Sequence, residues 1–340
     1  MKIAVLAPIA WRTPPEKYGP WEQVTSNITE GLVKNGLDVT LFATGNSRTS
    51  GKLQFISHTA YAEDPDIEPK VWECLHISNL MEQADRFDLI HNNFDFLPLT
   101  YSGLIKTPML TTIHGFSSAK IIPVYKKYNN TNHYVSISNS DRSPELDYIA
   151  TVYNGINTKE FTFNDTPEEY LLYFGRIHPE KGTYESIQIA KKSGRKLIIS
   201  GLIQDKAYFE KMVQPYINKT DIIYVGNSGP ADRDRLLRNA YALLHPISFD
   251  EPFGLSVAES MICGTPVIAY NRGSMAELIK HEISGFLVKN SDEAIEVIND
   301  IKKIDRHRVM EWAISKFSLE SMVNKYIDIY KTILDYGKKA

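Results

Sequence analysis

The sequence predicts an α/β protein built from two doubly wound parallel-sheet units, and three observations carry that reading. The chain has 340 residues, near twice a typical domain. Short apolar runs alternate with helix-period segments through most of its length, the pattern of parallel strands joined by crossover helices. That pattern stops in a stretch rich in Asn, Ser, Pro and Asp, residues 138–167, and then restarts. The expected division is a first unit over 1–153, a second over 154–315, and a terminal helix within 316–340 that returns to the first unit.

In the first unit the strand runs are Lys2–Ala7, Asp38–Ala43, Leu53–His58, Asp88–His91, Pro108–His114 and His133–Ile137. Between the first two, Val24, Ile28 and Leu32 recur every fourth residue and Gly36 closes the pattern, which predicts an amphipathic helix over 23–34. In the second unit the runs are Tyr170–Phe174, Lys196–Ser200, Ile222–Val225, Ala242–His245, Pro266–Ala269 and Phe286–Val288. Helices are expected over 184–192, 207–216, 231–240 and 255–263. Past Arg306 no strand run remains, and Met322, Tyr326, Ile329 and Ile333 share a helix face. Ligands of open parallel sheets sit beyond the carboxyl ends of strands. Two such units therefore predict one cleft between them, served by residues 11–19, 114–115, 175–181 and Glu251.

The bulk numbers remove several function classes. Hydrophobic content of 43% and charged content of 23% are those of an ordinary soluble protein. A net charge of −3 supplies no basic field for nucleic acid. The N-terminal apolar run is short and broken by Pro8, and no run reaches membrane-spanning length. No integral membrane segment is expected, and the location expected is cytoplasmic, with at most peripheral attachment. Cys74 and Cys263 are too few for a disulfide framework and lack metal-ligand spacing. Asp64-Pro65-Asp66 lies in a proline-flanked loop and Asp232-Arg233-Asp234 in a helix start with no strand before it; both read as solvent-facing, so no metal site is expected.

The densest chemistry lies in Glu251-Pro252-Phe253-Gly254-Leu255-Ser256-Val257-Ala258-Glu259. Glu251 falls in the loop leaving a strand, and Glu259 about a turn into the next helix, too deep to be a capping acid. Between them the amides of Phe253, Gly254 and Leu255 open that helix, where unpaired N–H groups attract anions. Carboxylates that hold hydroxyls beside amides that hold phosphate suit a nucleotide-sugar donor. Gly175-Arg176-Ile177-His178-Pro179-Glu180-Lys181-Gly182 also joins a strand to a helix, and Arg176 and Lys181 suit a diphosphate. It is no Walker motif, because Glu180 replaces the second Gly and Lys181 precedes Gly182. Gly19, in Tyr18-Gly19-Pro20-Trp21-Glu22, permits close backbone approach to a ligand; a plain turn before a Pro-initiated helix explains it equally. His114 ends a strand run and is placed to donate a hydrogen bond to a sugar hydroxyl or reacting oxygen, or to support charge there. His91 and Asp95 are its neighbours in sequence pattern and are candidate acceptor-pocket groups.

Together these motifs resemble the family-4 retaining glycosyltransferases of the GT-B fold, in the subgroup with a short N-terminal domain. The segment from Glu251 to Glu259, continued by Cys263-Gly264-Thr265-Pro266-Val267-Ile268-Ala269, is similar to that family's Glu-x7-Glu signature. Gly175-Arg176 with Glu180-Lys181-Gly182 is similar to its diphosphate motif, and Val152-Tyr153-Asn154-Gly155-Ile156 to its interdomain element. Pro20 departs from the pattern, where many members carry a second Gly. The resemblance implies a metal-independent hexosyltransferase without cofactor, whose donor is a nucleoside-diphosphate sugar. Its acceptor would be a glycan, lipid-linked or small-molecule hydroxyl held by the N-terminal unit. It implies that Glu259 holds the ribose, Glu251 the sugar, and Arg176 and Lys181 the departing diphosphate. An epimerase or phosphorylase on the same fold, or a two-lobed binding protein without turnover, stands as the alternative.

Overall fold

A computed structural model describes residues 1–116 and 118–337. The chain forms two compact units, Met1–Gly155 with Leu319–Ala340, and Ile156–Ser318. Unit 1 opens with β1 (Lys2–Leu6), α1 (Pro20–Lys34), β2 (Asp38–Phe42), β3 (Lys52–Gln54) and α2 (Pro69–Met81). It continues with β4 (Leu89–Asn92), β5 (Met109–Ile113), α3 (Ile122–Lys127), β6 (His133–Ser136) and β7 (Ala150–Thr151). All seven strands pair in parallel in the order β3-β2-β1-β4-β5-β6-β7. Strand order reverses between β1 and β4, the switch point at which doubly wound sheets bind ligands.

Unit 2 repeats the plan with β8 (Leu171–Phe174), α4 (Thr183–Ser193), β9 (Leu197–Ser200), α5 (Lys206–Tyr208) and β10 (Ile222–Tyr224). Then come α6 (Pro230–Asn239), β11 (Ala242–His245), α7 (Leu255–Ile262), β12 (Val267–Tyr270), α8 (Met275–Leu278), β13 (Gly285–Val288), α9 (Ser291–Val297) and α10 (Arg306–Phe317). The parallel order is β10-β9-β8-β11-β12-β13, reversing between β8 and β11. Central strands such as β11 are buried along their whole length, which is why they read as continuous apolar runs rather than alternations. Two Rossmann-like sheets thus stand where the sequence predicted two.

The differences from expectation have local causes. The third strand ends at Gln54, short of His58. β7 is two residues long and carries no apolar run to announce it. α2 is apolar around most of its axis, with Val71 and Leu75 exposed, so no face signals it. The helix expected over 207–216 is one α turn followed by a wide π turn, Phe209–Val213, and a 3₁₀ turn where Pro215 withholds an amide. The tail is two helices, because the chain extends at Ser318 before α11 (Leu319–Gly337) begins.

α11 packs on α1 within unit 1. Gly31 faces Val323 so closely that an added Cβ would stand 2.3 Å from Val323 Cγ2. Beneath it, the Tyr330 hydroxyl lies 2.7 Å from His91 Nδ1, and the Tyr326 hydroxyl 2.8 Å from Thr112 Oγ1. His91 Nε2 meets the same threonine at 2.8 Å. In unit 2 the buried Arg306 guanidinium donates to the carbonyls of Asn164 (2.6 Å), Arg238 (2.8 Å) and Ala240 (3.1 Å), which ties α10 to the end of α6. Among the described residues no helix is long and apolar enough to cross a membrane.

Candidate active site

In unit 2 the loops leaving β8 and β11 flank the switch point and are laced together. The amide and hydroxyl of Ser248 donate to the Glu180 carbonyl at 2.9 and 3.3 Å. Gly182 has φ 72°, and a Cβ there would stand 2.0 Å from the Pro246 carbonyl oxygen, so the loops meet backbone to backbone. This brings Lys181 Nζ to 2.5 Å from Glu251 Oε2, with side chains only 15% and 13% exposed. Lys181 also sits over the Phe249 ring at 4.6 Å. The loop after β12 holds Glu251 from the other side, the Ser274 amide donating to its carbonyl at 3.0 Å. His245, the last residue of β11, points Nε2 toward the same carboxylate at 3.7 Å. Burial pushes that imidazole down to about 4, so it is neutral at ordinary pH.

Glu259 lies in the second turn of α7, 6% exposed. Burial raises its pKa, and Arg233 opposes the rise from 3.3 Å away. The other arm of Arg233 reaches Glu160 at 3.1 Å, and the guanidinium covers the Phe161 ring. The expectation that Asp232-Arg233-Asp234 is solvent-facing is therefore corrected at two of its three positions. Arg233 serves Glu259, and Asp234 accepts from the Thr162 amide at 2.7 Å and from Arg238 at 2.9 Å. The available signal was helix phase: Arg233 precedes the buried Leu236 and Leu237 by three and four residues and shares their face. Arg176 stands in the β8 loop, but its guanidinium rests on Gln204 rather than on either glutamate. Gly254 is the left-handed N-cap of α7, and the amides of Gly254 and Leu255 meet no acceptor among the described residues. Phe253 buries its ring against Phe317, and its carbonyl accepts from Ser274 Oγ at 2.7 Å. Among the described residues no cluster of His, Cys, Asp and Glu is arranged to hold a metal ion.

In unit 1 the loops after β1, β4 and β5 surround the other switch point. Gly19 caps α1 with Pro20 at its first position, and an added Cβ would meet Pro15 Cβ at 2.8 Å and Glu22 Oε2 at 3.1 Å. The loop itself accounts for the glycine without any ligand. Glu22, which sequence reasoning passed over, is buried and accepts the Trp11 amide at 3.1 Å, pinning the β1 loop to α1. Its signal was position: it is the third residue of the helix, where a carboxylate reaches back to free amides. His114 Nε2 lies 3.0 Å from Asn93 Oδ1, whose amide nitrogen faces the His91 carbonyl. Burial holds His114 down to about 3. The ring is thus held neutral by burial, with Nε2 engaged by Asn93. His91 is a core residue with both ring nitrogens satisfied, not a pocket group. Asp95 accepts the Tyr125 hydroxyl and anchors its own loop, and burial lifts its pKa to about 6.

Both switch points thus carry a built constellation, and comparison with known proteins decides the family. A model described as glycosyl transferases group 1 matches residues 156–312, and one described as glycosyltransferase family 4 matches residues 21–160. The chain belongs to the family-4 glycosyltransferases. An uncharacterised glycosyltransferase of Methanocaldococcus jannaschii is 23% identical over 98% of this chain and 99% of its own length. AviGT4, a glycosyltransferase involved in avilamycin A biosynthesis, shares the fold with a TM-score of 0.78 at 21% identity, over 98% of both chains. HepE of Anabaena, solved in complex with UDP and glucose, does so with a TM-score of 0.74 at 17% identity, over 97% of this chain and 99% of its own. In this glycosyltransferase, then, each of the two signature carboxylates of unit 2 is held by a cation from another segment, Glu251 by Lys181 and Glu259 by Arg233.

Proposed function

We propose that this glycosyltransferase moves a hexosyl unit from a nucleoside-diphosphate sugar to an acceptor hydroxyl, with retention of anomeric configuration and without a metal ion. The observation that carries the reading is the Lys181–Glu251 pair, a cation and a carboxylate held together at the switch point of unit 2. Lys181 offers a compact charge to the diphosphate, and Glu251 accepts hydrogen bonds from sugar hydroxyls. Glu259 accepts the ribose hydroxyls from its place along α7, and the open amides of Gly254 and Leu255, with that of Phe253, face the sugar and phosphate. Arg176 joins Lys181 by leaving Gln204. UDP and glucose, held together in the HepE structure, have the chemistry such a set of groups would recognise.

As the bond from the anomeric carbon to the diphosphate breaks, negative charge grows on the leaving oxygen, and Lys181 and Arg176 neutralise it. Such prepositioned charge accelerates the step only insofar as it binds the transition state more tightly than the ground state. In the retaining route the leaving phosphate oxygen takes the acceptor proton on the face from which it departs, and the acceptor oxygen bonds to that same face. In unit 1, His114 Nδ1 and the Gly19 loop supply acceptor-side contacts. The acceptor is a glycan, lipid-linked or small-molecule hydroxyl, and the reaction is placed in the cytoplasm, with peripheral membrane attachment if the acceptor is a lipid.

The test is transfer from UDP-, GDP- and ADP-sugars to a panel of acceptors. Lys181→Ala and Arg176→Ala should each lower the rate about 100- to 1000-fold, the usual cost of removing one donor to a developing oxyanion. Wild-type turnover should survive a chelator, and NMR of the product should show the donor's anomeric configuration. Full rates in both variants would remove the assigned roles, and metal-dependent turnover would remove metal independence.

A further inference from the structure

We propose that His245 is a positioning residue that takes over Glu251 when Lys181 turns from it to the donor's diphosphate. The proposal rests on the donor reading above and adds a residue that reading does not use. His245 ends β11, in register with Ala269 of β12, and Leu244 before it pairs with Tyr173 of β8. His245 is 7% exposed, and its Nε2 is buried with no hydrogen-bond partner among the described residues. A buried polar nitrogen without a partner is uncommon in a finished structure and calls for an explanation. Here Glu251 Oε2 stands 3.7 Å away, beyond hydrogen-bond range, while Lys181 holds that same oxygen at 2.5 Å.

One oxygen thus has two suitors, one engaged and one waiting. A diphosphate draws Lys181 away, because phosphate oxygens carry more charge than one carboxylate. Glu251 is then a buried anion that has lost its cation, which opposes binding. A side-chain rotation that closes less than 1 Å of the 3.7 Å separation lets the neutral imidazole donate Nε2–H to it. The carboxylate stays oriented, ready to accept sugar hydroxyls with its remaining lone pairs.

The test is a binding cycle by calorimetry with UDP, GDP and ADP, whichever binds the wild type. His245→Leu should weaken the nucleoside diphosphate about tenfold, the worth of one hydrogen bond to a charged group. It should leave the parent nucleoside, which carries no phosphate, unchanged. His245→Gln, whose amide nitrogen stands near the position of Nε2, should restore affinity. In a Glu251→Gln background, where the amide oxygen still accepts but carries no charge, the His245→Leu change should cost less than in the wild type. Should His245→Leu not fold, nitrogen-correlated NMR of the wild type gives the same answer: the His245 Nε2–H resonance moves downfield on saturation with the diphosphate. Equal losses for nucleoside and diphosphate, additive effects with Glu251→Gln, or an unmoved resonance would overturn the role of His245 alone. A wild type that binds none of the three diphosphates would overturn the donor reading and this inference with it.

Discussion

Glu22 shows how one side chain can set a pH response. Burial against the Trp11 loop raises its pKa from 4.5 to about 7. A carboxyl raised in the folded state favours folding while protonated, so its contribution is complete below pH 4.5 and is lost as pH rises through about 7. The shift corresponds to ~3 kcal/mol. Glu22→Gln keeps the oxygen that accepts from Trp11 and cannot ionise. It should unfold at higher urea than the wild type at pH 8, with the gap closing by pH 5; parallel curves across that range would remove Glu22 as the source. Glu22 also marks where reading the sequence stops. Glu251 and Lys181 were legible because each hangs from a strand end, and strand ends announce themselves as apolar runs. Arg233 was not, because its meaning comes from Glu259, a partner in a different helix. His245 was hidden inside the very run that announced β11, and the contact of His114 is with Asn93, which the fold brings from just past β4.

At the level of elements, α1 and α11 meet through a glycine. Alanine at position 31 gains roughly 1 kcal/mol in helix propensity but drives a methyl into Val323. Gly31→Ala should therefore destabilise unit 1 by ~1–3 kcal/mol in denaturant unfolding, and Val323→Ala should recover part of the loss when combined with it. Independent, additive effects would mean the helices are not in contact there. The pair His91–Tyr330 makes a second check: Tyr330→Phe leaves Nδ1 without its partner and should cost about 1–3 kcal/mol. Elements were read well where periodicity was clean, as in α1 and the central strands. They were misread where one residue overrides the pattern. Pro215 breaks a helix that apolar spacing supports, and extended Ser318 splits a tail whose composition is helical throughout. α2, with apolar residues on every side, offers no phase to read.

At the level of the molecule, the chain leaves unit 1 at Gly155 and comes back to it at Leu319. A protein cut after Ser318 lacks α11, which exposes the α1 face around Gly31 and leaves Thr112 and His91 without Tyr326 and Tyr330. Such a protein should lose cooperative unfolding of unit 1 while unit 2 keeps its own transition, measured by hydrogen exchange resolved along the sequence. Retained protection across β4 and β5 would show that α11 is dispensable. Discontinuity also orders events in time. A ribosome adding roughly 5–20 residues per second needs on the order of 10–30 s to make residues 156–318. Throughout that interval the earlier-made half waits, sheet formed but one side uncovered, while the later-made half can finish. The portion translated first is the portion completed last, so nascent molecules need a chaperone, or restraint by the emerging second half, to bridge the gap without sticking to one another.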